Sequence, residues 1–300
     1  MINHWPADRP VQRLTFVSDL HLFSNRCNAS EHHDLIAKSI DQADMCVWGG
    51  DLFDFRWSRL RNESTSVNRA LDWLDDWYEQ FPEKQFVYLH GNHDAHGLFT
   101  RAMSDWANAR ERFECGLDCI RVDDALLLHG DVIEGKGSPE AFADYRGRWQ
   151  NKRVASRVAS GVYDVAIAAR VHKAAAMAAH RRRATCIRLI RWMHGQPGHA
   201  TEGIRRIVFG HTHRRIDGYR VGGIQFFNGG AAIRHVPFHP VSIEFDRVTK
   251  EEPNSGSDAQ ADSDSSQSDE ASDQAADART SAENLGPVEG SKNPGEAESD

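Results

Sequence analysis

Along the first hundred residues, unbroken apolar runs alternate with stretches of helical periodicity. RLTFVS (13–18), DMCVW (44–48) and QFVYL (85–89) are short and apolar throughout, the pattern of strands buried on both faces. Between the first two, SEHHDLIAKSIDQAD sets Leu35, Ile36, Ser39 and Ile40 on one side of a predicted helix, with Ser30 as its N-cap. Residues 65–80 carry Val67, Leu71, Leu74 and Trp77 or Tyr78 at helical spacing and predict a second helix. Strand, helix, strand, helix, strand is the order of an α/β sheet with crossover helices.

Beyond position 110 the pattern changes. CIRV (119–122) and ALLL (125–128) flank Asp123-Asp124 and predict a hairpin. IVF (207–209), RRIDGYRV, IQFFN and VSIEF follow as short runs parted by glycine-rich turns. They predict added antiparallel strands, a candidate second sheet packed on the first. Between Gly137 and Gly195 the chain is rich in alanine and arginine and strongly helix-forming, with twelve Lys/Arg against three acids from Ser138 to His194. This stretch reads as helices inserted between two strands, a hairpin broken near Gly161. It is either a solvated basic face or a lid that attracts an anionic substrate.

A composition of 40% apolar residues over 300 positions can fill the core of one large domain or two small ones. Charge divides the chain more sharply. Residues 251–300 hold fourteen acids and two bases, a net of −12, so the first 250 residues carry +4 within a chain of −8. The acidic end has almost no large apolar side chains to offset the entropy of ordering and is expected to be a disordered tail over 250–300. MINHWPADRP has neither a basic nor an apolar leader segment, and no apolar run approaches the ~18–20 residues of a membrane span. The five cysteines are odd in number, and Cys115 and Cys119 lack a second ligand pair at zinc-finger spacing. A cytoplasmic protein with reduced thiols is the expectation.

The chemistry sits where the apolar runs stop. SDLH (18–21), GGDLFD (49–54), GNHD (91–94), HGD (129–131) and GHTH (210–213) each follow such a run and each supply Asp, Asn or His. Any one of these loops has an ordinary explanation as a turn or helix cap. Together they suggest convergence, because the carboxyl ends of strands in an open α/β sheet line a common crevice. Hard carboxylate oxygens mixed with imidazole nitrogens suit a pair of divalent cations, manganese first and iron or zinc next, with one carboxylate bridging. Asp51 is the candidate bridge. The neighbouring glycines 49, 50, 91, 130 and 210 allow tight turns and close backbone approach.

In this order, D-x-H, GDxxD, GNHD, HGD and GHTH resemble the calcineurin-like metallophosphoesterases over roughly residues 13–249, the helical insertion excepted. The resemblance implies a four-layer α/β/β/α sandwich of two mixed sheets. Residues 11–249 would form the domain, with 138–195 as the basic helical insertion or lid. It implies one metal on Asp19, His21, Asp51 and His213, and a second on Asp51, Asn92, His129 and His211. His93 would act as general acid or phosphate contact, oriented by Asp54, while Asp94 fixes its loop. The reaction implied is hydrolysis of a phosphoester or pyrophosphate bond by a metal-activated water.

Within the family, the basic insertion and FFNGGAA (226–232) are similar to the UDP-2,3-diacylglucosamine pyrophosphatase branch of lipid A synthesis. That similarity implies a small anionic phosphate ester or sugar-nucleotide lipid as substrate, and peripheral contact with the inner face of the membrane. Val154, Val158, Val162, Val165, Ile167, Val171 and Met177 would line an acyl groove or simply pack the helices together. Two features depart from that branch. His93 stands where it typically has arginine, and AHG (95–97) does not continue its pattern. The alternatives are a nuclease or phosphodiesterase using Arg181, Arg182 and Arg183 on phosphates, and a non-catalytic scaffold of the same fold. No aromatic platform is interleaved with those arginines, and all seven candidate ligands are present, so both are less favoured. A phosphoprotein phosphatase would carry GDxxDRG and GNHE, where this chain has GDLFDFR and GNHD.

Overall fold

The computed structural model of the chain describes residues 2–60, 62–150, 155 and 181–246. Strands β1 (Asn3–His4), β2 (Arg13–Val17), β3 (Met45–Trp48), β4 (Gln85–Leu89), β5 (Phe113–Leu117), β6 (Cys119–Val122), β7 (Ala125–Leu128), β8 (Arg206–Phe209), β9 (Ile216–Val221), β10 (Ile224–Asn228) and β11 (Val241–Glu244) form two mixed sheets. The first runs β11-β2-β3-β4-β5, parallel except for β11, and the second runs β1-β6-β7-β8-β10-β9. In the second sheet β8 lies parallel to both β7 and β10, while β6–β7 and β10–β9 are antiparallel hairpins.

Side-chain alternation on each strand explains why two sheets stack. Leu14, Phe16, Met45, Val47, Val87 and Leu89 face Ile120, Val122, Ala125, Leu127 and Val208 of the second sheet, in one apolar layer between them. The alternate residues Val17, Cys46, Trp48, Phe86 and Tyr88 point the other way, against helices α1 (His33–Asp41), α2 (Glu63–Gln80) and α3 (Gly97–Ala107). On the far side Leu126, Leu128, Ile207, Phe209 and Phe226 pack against Cys186, Leu189 and Met193 of a helix over Arg182–His194. Three apolar layers thus join four layers of secondary structure, the α/β/β/α sandwich expected from the motifs.

Several local expectations need correction. The strands after position 200 are not simply antiparallel, since β8 is parallel to both neighbours and β11 crosses to the first sheet beside β2. Ser30 is not a cap. It lies inside a 3-10 turn over Ala29–His32 that runs into α1, and the residues before the two segments are Asn28 and His32. The second helix starts earlier, at Glu63, where the Asn62 side chain accepts from the Thr65 N–H. Of the basic insertion, α4 (Pro139–Gln150) and α5 (Arg182–His194) are helical, and α6 (Gly198–Thr201) follows just beyond it. The seven proposed acyl-lining residues, the Gly161 break and the acidic tail lie outside the described residues. Among the described residues no helix is long and apolar enough to cross a membrane.

Candidate metal centre

Five strand ends open into one crevice. β2 leads to Asp19 and His21, β3 to Asp51 and Asp54, and β4 to Asn92 and His93 on the first sheet. On the second, β7 leads to His129 and β8 to His211 and His213. The loops are stitched across the sheets: the His211 N–H donates to the Asp19 carboxylate at 3.0 Å, and His129 Nδ1 donates to the Gly49 carbonyl at 2.9 Å. Within the first sheet Asp19 N–H donates to Gly50 O and His21 N–H to Asp51 O, both at 3.0 Å. Asn228, at the end of β10, donates to the Gly210 carbonyl at 2.7 Å and holds the GHTH loop from behind.

The backbone there is strained. Asp19, His21, Asp51, His211 and His213 all take positive φ, between 49° and 63°, a region that non-glycine residues rarely occupy. Close approach also explains two glycines. A Cβ on Gly91 would collide with the Asp51 carboxylate, and one on Gly210 with the Asp19 carboxylate and Ser18.

The side chains gather in three overlapping groups whose donor atoms lie within 4.8 Å of one another: Asp19, His21 and His213; Asp51, His129 and His211; and His21, Asp54 and His93. Ligands of one ion at about 2.0–2.2 Å from it stand at most ~4.4 Å apart, and the bound shared by all three groups is close to that span. Asn92 Oδ1 and His129 Nε2 are buried without a hydrogen-bond partner, a costly condition that a cation would relieve. Asp51 is suited to share: Oδ1 accepts from the His93 N–H at 2.7 Å, and Oδ2 lies 3.4 Å from His129 Nε2. The donor set of carboxylates, imidazoles and one amide oxygen therefore fits divalent transition metals.

Charge reinforces the picture. Burial works against ionising the Asp51 carboxyl, yet the His129 and His93 rings hold it well below the usual carboxylate range. Burial likewise opposes a charge on His129, but Asp51 outweighs it and the ring is pushed up to about 10, so a cation held there would have to displace the Nε2 proton. His21 is brought down to about 3 by burial and by the Arg26 guanidinium, so it stays neutral, as a ligand must. Arg26 lies 2.9 Å from His21 Nδ1 and 3.3 Å from Asp54 Oδ2. A guanidinium only donates, so the His21 proton sits on Nε2, which faces His213 Nε2 at 2.9 Å. Holding a cation through Nε2 requires the other tautomer, with Nδ1–H turned to Asp54 Oδ2, now 3.7 Å away.

His93 leans on three groups. Its Nδ1 is 3.2 Å from Asp54 Oδ1, near enough for charge contact though off the hydrogen-bonding direction. His21 meets its ring edge-on at 4.8 Å, and Trp149 of α4 packs on it at 4.4 Å. Asp94 does fix its loop, accepting from Leu52 N–H, Gly91 N–H and, at 2.6 Å, the Tyr88 hydroxyl. Arg26, Glu134, Asn228 and Trp149 complete the surroundings but carry no motif of their own. Only Asn228 left a trace in sequence, in FFNGGAA.

The sequence matches the family model of the calcineurin-like phosphoesterases over residues 12–215. A dimetal phosphatase of known structure from Danio rerio is similar at 11% identity and a TM-score of 0.41, covering 79% of this chain and 100% of that one. A search of curated proteins found no match. The matched span takes in every strand-end loop of the crevice, and the chain belongs to the calcineurin-like phosphoesterase family, a family of phosphoester hydrolases.

Proposed function

We propose that this crevice hydrolyses a phosphoester or phosphoanhydride bond at a dinuclear metal centre. Asp19, His21, Asp51 and His213 would hold one cation, and Asp51, Asn92, His129 and His211 the other. The observation that carries the reading is the gathering of Asp19, His21 and His213 in one group and Asp51, His129 and His211 in another, with Asn92 Oδ1 buried and without a hydrogen-bond partner. When bound, two divalent cations supply the positive charge that polarises a phosphoryl group and acidifies water. Manganese suits the oxygen–nitrogen mixture, and iron or zinc satisfies it too.

The protein's own groups do the rest. Asp51 stays ionised, with Oδ2 beside His129 and Oδ1 accepting from the His93 N–H. His93 is placed to give a proton to the departing oxygen, with Asp54 beside Nδ1 leaving Nε2 for the substrate. Trp149 and His21 confine the ring.

For the substrate, the basic insertion and the aromatic end of α4 beside His93 favour a small anionic ester with a sizeable leaving group, a sugar-nucleotide lipid such as UDP-2,3-diacylglucosamine among them. Rates on a phosphomonoester, a phosphodiester and that pyrophosphate, each with manganese, test the reading. A strong preference for the pyrophosphate supports the lipid branch, and a monoester preference overturns it in favour of a small-molecule phosphatase. No metal-dependent turnover of any of the three, with Asp51→Asn indistinguishable from the parent, would defeat the hydrolytic proposal.

A further inference from the structure

Glu134 belongs to none of the ligand groups, yet its Oε1 lies 3.1 Å from His211 Nε2. It comes from the 3-10 turn Asp131–Gly135, directly after His129, so one strand end brings both a ligand and a carboxylate against another ligand. The contact is sheltered, with Glu134 32% and His211 10% exposed. Asp131, in the same turn, is engaged elsewhere, gripped by both arms of the Arg146 guanidinium. Of the two acids in the turn, Glu134 is the one that lies against the His211 ring.

An imidazole that ligates through one nitrogen must carry its proton on the other. A carboxylate can only accept, so Glu134 draws the His211 proton to Nε2 and leaves the Nδ1 lone pair for a cation. At His129 the order is reversed: Nδ1–H points to the Gly49 carbonyl at 2.9 Å, so Nε2 is the nitrogen that would give up its proton to a cation. Two histidines assigned to the same cation therefore use opposite tautomers, each fixed by its own outer acceptor. One acceptor is a neutral carbonyl, the other an anion. The anion makes its imidazole the more electron-rich ligand.

We propose that Glu134 is a positioning residue that locks His211 in the Nδ1-ligating tautomer and sets the affinity of the cation held by Asp51, Asn92, His129 and His211. This rests on the dinuclear reading above.

Two measurements on the full chain separate the possibilities. Manganese titration by calorimetry should find two sites in the parent protein. Glu134→Ala should weaken one of them by about 10–100-fold and spare the other. Glu134→Gln, which still accepts from Nε2–H but lacks the charge, should fall between. Two sites in the parent with unchanged affinities in Glu134→Ala would overturn the role of Glu134 while leaving the dinuclear reading intact. Fewer than two sites in the parent would overturn that reading itself. Because an alanine variant can fail to fold, the second measurement needs no substitution: long-range nitrogen–proton spectra of the zinc-loaded parent. The His211 ring should show zinc on Nδ1 and hydrogen on Nε2, and zinc on Nε2 would refute the proposal.

Discussion

A left-handed backbone at an aspartate or histidine costs roughly 1–3 kcal/mol, and five of the seven proposed ligands adopt it. Such strain persists because each loop is held from outside, as when Asn228 grips Gly210 and the His211 N–H seizes Asp19. Gly210 is an exacting position, since a side chain there strikes the Asp19 carboxylate. Gly210→Ala should therefore leave the circular dichroism spectrum unchanged while lowering bound metal per chain. Normal metal content in that variant would show that the loop has slack the packing does not suggest. The His93 assignment makes a separate prediction through leaving-group chemistry. His93→Ala should slow esters of poorly acidic alcohols far more than p-nitrophenyl esters, and equal slowing of both would argue against proton donation.

At the level of elements, the alternation of inward and outward residues explains both what the sequence disclosed and what it hid. The strands through Phe16, Val47 and Val87 were legible because they are apolar on both faces, and the loops after them because Asp, Asn and His recur at the same place. β5 was not, because FECGL is an edge strand, half-buried, with Gly116 at a φ of +81°. β11 was legible as a strand but not as a member of the first sheet, since partner choice depends on which edge lies open after the chain has crossed over. Glu134 was illegible as a site residue because its role comes from an imidazole 77 positions away, and Arg26 because nothing in its spacing from His21 tells that the two side chains meet.

Two stability predictions follow from the packing. Leu127, fully buried between the sheets, should cost about 2–5 kcal/mol when cut to alanine, read as a lowered denaturant midpoint with an unchanged slope. Arg146→Ala strands the buried Asp131 carboxylate and should cost about 3–5 kcal/mol, whereas a surface ion pair would cost under ~1 kcal/mol.

For the whole molecule, charge is the dominant asymmetry, with +4 on the first 250 residues and −12 on the last fifty. The acidic end has few large apolar side chains, and a chain ending at Lys250 is expected to keep its melting temperature and its turnover at moderate salt. A large fall in either would give the acidic end a structural or catalytic part. For two neighbouring cations to bind, the two sheets must deliver seven side chains to one crevice. Anomalous scattering from crystals of the full chain grown with manganese tests this most directly. Two peaks about 3.5–4 Å apart are predicted, one among Asp19, His21, Asp51 and His213 and the other among Asp51, Asn92, His129 and His211. A single peak, or peaks away from Asp51, would contradict it.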